Sequence, residues 1–284
     1  SRLAKDTKVD YCAKVLYGER MFNLLLYGLI TTERTSQRTL EDLFGSEMFK
    51  TLFCYGPGMT ISRSSISTRL STIDPEFFRL AYEHIYVEFS KHFPEQEQQK
   101  HRIIRVDSTM VAETCNKLKK GLTPGDKKAS GGEKTKQVKL TMAFDGLTAC
   151  NAQLFTDSQY CSEDLAIPEL IVKNACKTDS KVNIYTFDRG VAAVKAFANF
   201  NNKEIRFVGR LKTNRRFHVV ASDQLSDAEK DLGELHLLSS QVVNLSGKQA
   251  FDYDQRYRLI IAERKIKSEP PLPGQKANLR KTED

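Results

Sequence analysis

Arg105-Val106-Asp107-Ser108-Thr109 and Tyr185-Thr186-Phe187-Asp188-Arg189-Gly190 are the two stretches on which the reading of this chain turns. Each follows a short apolar run, Ile103, Ile104 and Val106 in the first case and Val182, Ile184, Tyr185 and Phe187 in the second. Such runs read as buried strands, each delivering one carboxylate at or near its carboxyl end. If the two strands lie side by side and parallel, both carboxylates project from one edge of a sheet within a few ångströms of each other. Two anions that close repel, so the pair makes most sense around divalent cations. Oxygen ligands with open water positions select Mg2+ or Mn2+ over zinc. Two such ions roughly 4 Å apart can activate a water or hydroxyl and stabilise the leaving oxygen in phosphodiester transfer. A single Asp at a strand end is more commonly a helix cap or turn residue, so it is the pairing that points to chemistry.

Outward from these two strands the pattern alternates. Val138, Leu140, Met142 and Phe144 alternate with polar residues up to Asp145-Gly146, a strong hairpin turn, and Cys150, Ala152 and Leu154 continue the return strand. A helix follows over 165–175. After the second carboxylate Gly190 allows a sharp turn, Val191, Val194, Phe197 and Phe200 line a helix, and Ile205, Phe207 and Val208 form a fifth strand. Strand, antiparallel hairpin, helix, parallel strand, helix, strand describes an α/β fold with a mixed sheet, flanking helices and a hairpin at one edge. Beyond Arg210 only strands recur, over 217–221, 235–245 and 257–262, as expected of an all-β insertion.

The first hundred residues read as helical. Phe22, Leu25, Leu26, Leu29 and Ile30 recur at helical spacing, as do Phe77, Phe78, Leu80, Ala81, Ile85 and Phe89 after Pro75. Ser36 and Ser62 precede two further helices, separated by the turn Gly56-Pro57-Gly58. The expected boundaries are a helical N-terminal domain over 1–97, with a polar linker near its end, a catalytic core over 98–212, a β-rich insertion over 213–266 and a polar linker over 267–284. The chain starts at Ser1 and ends in a polar run after Pro270-Pro271-Leu272-Pro273-Gly274, which reads as cut at both ends.

Composition narrows the partner. Forty-four Lys and Arg against 36 Asp and Glu leave a formal charge of +8 over 284 residues, which favours a polyanion. Cys12, Cys54, Cys115, Cys150, Cys161 and Cys176 are scattered without zinc-site spacing and fit a reducing cytosol. No run reaches the ~18 apolar residues of a membrane span and no leader is visible, so a cytoplasmic, nucleoid-associated protein without membrane contact is expected.

Lys117, Lys119, Lys120, Lys127, Lys128, Lys134, Lys136 and Lys139 crowd a loop that contains only Asp126 and Glu133 as counter-charges. Beside a metal site this loop would grip phosphates; the alternative is a solvated loop. Gly132-Glu133-Lys134-Thr135 lacks the Gly-Lys pair of a nucleotide-binding loop. Arg189, Arg210, Lys212, Arg215 and Arg216 could neutralise scissile or flanking phosphates, or be ordinary surface charges. Ile66, Leu70 and Ile73 form an inward stripe with Arg63, Ser64, Ser67 and Thr68 mostly off it, which suits either a groove-reading helix or simple packing. Asp157, Glu163 and Asp164 read as capping residues.

At this point the chain resembles the DDE transposases of bacterial insertion sequences, specifically the group marked by a Tyr-x2-Arg-x3-Glu-x6-Lys signature. The matching pieces are Val106-Asp107-Ser108-Thr109, the hairpin strand carrying Lys139, Asp188-Arg189-Gly190, and Ile205 through Lys212. The resemblance covers roughly residues 101–265 and implies a ribonuclease-H-like core with a β-rich insertion before the third acidic residue. It further implies Mg2+ (or Mn2+) as cofactor, hydrolysis of double-stranded DNA at the element's ends, strand transfer into a target, and a homodimer holding two ends. Asp107 and Asp188 match the first two catalytic, metal-binding positions. Tyr253 to Arg256 has the start of the signature, but Ile260 stands where Glu should, and the nearby Glu263 lies in a β-patterned run. The signature helix is therefore expected after Asp284, and residues 1–284 alone are expected not to cleave DNA. The competing expectations are a DNA-binding remnant and a host nuclease on the same core.

Overall fold

The computed structural model describes residues 2–11, 13–92, 101–111, 121–122, 137–146, 148–175, 183–245 and 255–264. The chain divides into two compact units, one of Ser1–Gln99 with Thr148–Asn151, the other of Lys100–Leu147 with Ala152–Asp284. The basic loop residues 117–120, 127, 128, 134 and 136, three cysteines (Cys12, Cys115 and Cys176), Tyr253, the inter-domain linker and the C-terminal linker lie outside the described residues.

The first unit is built from α1 (Arg2–Asp6), α2 (Gly18–Thr31), α3 (Gln37–Gly45), α4 (Glu47–Leu52), α5 (Arg63–Thr72) and α6 (Pro75–Ser90). Side-chain caps start four of them. Ser36 accepts from the Thr39 amide, Ser46 from Phe49, Ser62 from Ser65, and Asp74 from Glu76 ahead of Pro75 at the first helical position. Leu16, Met21, Leu24, Leu40, Phe44, Phe49 and Ile66 form its core.

The inward face of α2 differs from the one the apolar spacing suggests. Met21, Leu24, Gly18 and Gly28 are buried, while Leu26, Leu29 and Ile30 are exposed, Leu29 by 70%. The glycines explain it, because they mark where neighbours come closest. A Cβ at Gly28 would fall 2.9 Å from Leu40 Cδ2, and one at Gly18 would fall 2.7 Å from Val9 Cγ1. A hydrophobicity count passes over glycine, yet glycine is what lets two backbones approach. Similarly, of the expected α5 stripe Ile66 is buried and Ile73 packs against the same core, but Leu70 is exposed.

The elements that follow are β1 (Arg102–Val111), β2 (Val138–Phe144), β3 (Ala149–Phe155, of which the first three residues count with the first unit), a 3-10 turn (Ser158–Cys161), α7 (Glu163–Ala175), β4 (Asn183–Phe187), α8 (Val194–Asn202) and β5 (Arg206–Gly209). The strands form one mixed sheet in the order β3-β2-β1-β4-β5, with β2 antiparallel to β1, and β4 parallel to both β1 and β5. Gly146 turns the β2–β3 hairpin at φ +120°, and Arg102 pairs with Asp145 at its tip.

Both helices pack on the same face. Ile104 and Val106 of β1, Lys139, Thr141 and Ala143 of β2, and Asn183, Tyr185 and Phe187 of β4 are buried there. Asn174 of α7 donates to the Tyr185 hydroxyl at 3.2 Å, and the Phe187 ring lies among Phe197, Phe200 and Phe207 with centroids 5.8–6.2 Å away. The hairpin is thereby turned over relative to its sequence pattern. Lys139, Thr141 and Ala143 face the helices, and Val138, Leu140, Met142 and Phe144 are only half-buried on the other side. Ile103 too faces outward.

A second, antiparallel sheet follows in β6 (Phe217–Ser222), a short α9 (Asp227–Lys230), β7 (Asp231–Leu232), β8 (Leu235–Leu245) and β9 (Arg256–Arg264), with β8 paired to all three other strands. It joins α8 and β5 through aromatic packing of Tyr257 on Phe197 and Phe207, and α8 again through Gln255 bonded to Asn201 and Asn202. Burial pushes the Tyr257 phenol up to about 12, and its hydroxyl has no hydrogen-bond partner among the described residues. Tyr257→Phe is expected to raise stability by about 1 kcal/mol, since it removes an unpaired buried hydroxyl. The native state holds this phenol neutral, so its contribution is full below the ordinary tyrosine value and fades as pH rises from about 10 towards its folded value. The phenylalanine variant should lose that part of the alkaline sensitivity. Urea titrations at neutral and alkaline pH read both effects, and a destabilised variant would show that the hydroxyl is bonded.

Candidate metal and nucleic-acid site

The β1–β4 register carries Asp107 and Asp188 towards the same end of neighbouring strands in the first sheet. The parallel register pairs Arg102 with Asn183 and Arg105 with Thr186, so its continuation by two residues sets Asp107 opposite Asp188. Adjacent strands lie about 4.8 Å apart. Side chains alternate along a strand, and the buried positions 104, 106, 185 and 187 define the helix-covered face. Asp107 and Asp188 therefore share the opposite, open face, and both are exposed.

The two carboxylates arise differently. Asp188 directly follows the last residue of β4, as the sequence suggests. Asp107 does not end its strand: β1 continues four residues to Val111, because Ser108 to Val111 pair with Thr141 to Val138 of the hairpin. Each carboxylate turns one oxygen to the next amide, Asp107 Oδ1 accepting from Ser108 N at 2.8 Å and Asp188 Oδ1 from Arg189 N at 2.6 Å. These local bonds hold the χ1 angles and leave the second oxygen of each without a protein partner among the described residues. Carboxylate oxygens of this kind suit a hard divalent cation. Among the described residues no three His, Cys, Asp or Glu side chains come together in a group able to hold a metal, so this pair is what the described residues offer there. Glu263 lies on β9 opposite His236, within the second sheet.

The basic candidates separate into distinct groups. β4 and β5 pair Phe187 with Gly209, so one further step sets Arg210 opposite Asp188. Asp107, Asp188 and Arg210 thus stand in one row across three parallel strands. Arg189 and Lys212 are exposed beside that row. Lys139 departs from the phosphate-gripping expectation: it is 2% exposed, on the helix-covered face, and its ammonium donates to the Cys161 carbonyl at 2.7 Å. Lys134 and Lys136 lie outside the described residues. Arg63 belongs to the other unit and pairs with Glu41 at 3.2 Å. Arg215, for which the sequence leaves a phosphate contact and an ordinary surface charge both open, donates to the Ala192 carbonyl.

For two residues the sequence reading missed the role. Arg105 is exposed on the open face two positions before Asp107, and the alternation along β1 is the signal that would have found it. Asp164, expected to cap its own helix, instead reaches across to the next one: its Oδ1 accepts from the amides of Ala192 and Ala193, at the entry to α8. Sequence separation hides that contact.

No family model and no curated protein matches the sequence. Among solved structures, a piggyBac transposase synaptic complex with hairpin DNA matches at 14% identity and a TM-score of 0.37, over 84% of this chain and 50% of that one. A Mos1 mariner paired end complex with Mn matches at 13% identity and a TM-score of 0.25, over 73% of this chain and 72% of that one. A Mos1 transposase paired-end complex with left transposon end matches at 13% identity and a TM-score of 0.23, over 66% and 57%. The chain spans about half the length of the piggyBac chain it matches. At TM-scores this low the likeness assigns no residue and no activity.

Proposed function

We propose that this chain carries the catalytic core of a metal-dependent DNA transposase of the bacterial insertion-sequence type, on a ribonuclease-H-like sheet with a helical N-terminal domain and a β-rich insertion. The observation that carries the proposal is the parallel β1–β4 register of a mixed sheet, whose continuation by two residues would set Asp107 opposite Asp188 on the face away from α7 and α8. Asp107 and Asp188 would hold Mg2+ or Mn2+, which when bound supplies charge neutralisation at the scissile phosphodiester and an activated oxygen nucleophile. The protein's own residues do the rest. The Ser108 and Arg189 amides orient the two carboxylates, Arg210 beside Asp188 offers a bidentate fork to a phosphate, and Arg105 and Arg189 add positive charge on either side. The third acidic ligand is assigned, by the family pattern, to a helix beyond the β-rich segment. The partner is double-stranded DNA, the element's ends and then a target, held by two copies of the chain.

DNA binding tests the electrostatic half of this proposal. Affinity for duplex DNA should fall linearly on a log–log plot against salt, since phosphate neutralisation releases counterions. Arg210→Ala should reduce the magnitude of the slope by about one, measured by fluorescence anisotropy. A slope near zero, or one untouched by the substitution, would count against a phosphate at this edge.

A further inference from the structure

The Asp188 carboxylate is exposed, and among the described residues its one hydrogen bond is to the next amide. Its place beside Asp107 is therefore set by the backbone on either side of it, β4 before and residues 189–193 after. The backbone after it is tied from three directions. The start of α7 is anchored to β2, where the buried Lys139 ammonium holds the Cys161 carbonyl at 2.7 Å, and the Ser162 hydroxyl accepts from the Asp164 amide at 3.2 Å. From that anchored start Asp164 Oδ1 receives the amides of Ala192 and Ala193, the latter at 2.7 Å. The Glu163 side chain lies against Gly190, where an added Cβ would fall 1.5 Å from Glu163 Oε2. Arg215 holds the Ala192 carbonyl from the far side, and Val191 is buried between these ties.

We propose that Asp164 is a positioning residue for the metal pair: its carboxylate, held in place through Lys139 and Ser162, fixes residues 190–193 and thereby the distance between the Asp188 and Asp107 carboxylates. Two N–H groups converging on one anionic oxygen at the amino end of a helix make a charge-assisted tie stronger than neutral hydrogen bonds. The inference rests on the proposed metal-binding role of Asp107 and Asp188. It separates Asp164 from a third metal ligand, because an acceptor oxygen is all the tie requires.

The test compares Asp164→Ala with Asp164→Asn. Asparagine keeps Oδ1 and loses the charge; alanine loses both. Hydrogen exchange at the Ala192 and Ala193 amides should accelerate at least ~10-fold in the alanine variant and much less in the asparagine one, with the Ile104 and Tyr185 amides unchanged as a control for the fold. Mn2+ binding, followed by electron paramagnetic resonance with Mn2+ alone, should weaken ~10–100-fold in Asp164→Ala, as for loss of an outer partner of a metal ligand, and be largely restored by asparagine. Unaltered exchange at residues 192 and 193 in the alanine variant would overturn the proposal. So would asparagine impairing Mn2+ binding as severely as alanine while the loop amides stay protected, for Asp164 would then be a ligand. If Asp164→Ala does not fold, unprotected Ala192 and Ala193 amides in the wild type or in Asp164→Asn overturn it equally. A wild type that binds no Mn2+ sinks the metal-site reading and leaves the exchange experiment to decide the tie.

Discussion

Replacing Asp107 or Asp188 by asparagine is expected to weaken Mn2+ binding by on the order of 100-fold or more, since losing a ligand exceeds the ~10–100-fold cost of losing an outer partner. Asparagine matches aspartate in shape and retains the oxygen that accepts from Ser108 N or Arg189 N, so the loss is of charge alone. The same substitutions should leave metal-free stability unchanged or slightly raised. Like charges directly opposite on adjacent strands are destabilising, and each variant removes one of them. Opposite signs for metal affinity and stability are what a functional pair should show, whereas a structural pair would lose stability. Metal titrations and urea unfolding of the two variants measure both quantities. Variants that bind Mn2+ like the wild type would remove the metal from this edge and, with it, the proposed chemistry. In any preparation that cleaves DNA, the same two substitutions and chelation of the metal should each abolish cleavage while duplex binding persists.

The second large effect is on the fold itself. Phe187→Ala should destabilise the chain by about 3–5 kcal/mol, the range for truncating a buried aromatic. Phe187 is buried, sits among three other phenylalanines, and presses on Gly209, where an added Cβ would fall 2.5 Å from the Phe187 ring. The same residue precedes Asp188, so the cavity would loosen the strand end that presents the carboxylate. Phe187→Leu, which keeps most of the volume, should cost markedly less. Urea midpoints distinguish the two, and an alanine variant with a wild-type midpoint would show that the aromatic cluster does not bear on stability.

Several elements were legible in the sequence because their signals are local. The caps at Ser36 and Ser62, the helix start at Pro75, the Asp145-Gly146 turn and the Val191–Phe200 stripe each depend on residues within a turn or two of one another. The β-rich segment from Phe217 to Arg264 was legible for the same reason. The inward faces were not. On α2 and on the hairpin the apolar count pointed to one side, and the buried side was chosen by glycine contacts in the first case and by the cover of α7 and α8 in the second. Lys139 is the sharpest instance: in sequence it belongs to a basic run, and in the fold it lies beneath a helix against the Cys161 carbonyl.

The carboxylate pair divides along the same line. By itself the sequence determined that two apolar strands each deliver an Asp, because strand propensity and hydrophobic patterning are properties of neighbouring residues. Only the tertiary structure decided that those strands are adjacent, parallel and in a register that sets Asp188 between Asp107 and Arg210. Register is chosen by which faces can be buried together, and here Ile104, Val106, Tyr185 and Phe187 had to meet the same helices. The Asp164 tie across 28 residues of sequence was decided there too, since a contact made through backbone amides leaves no pattern in the identity of the residues that supply them.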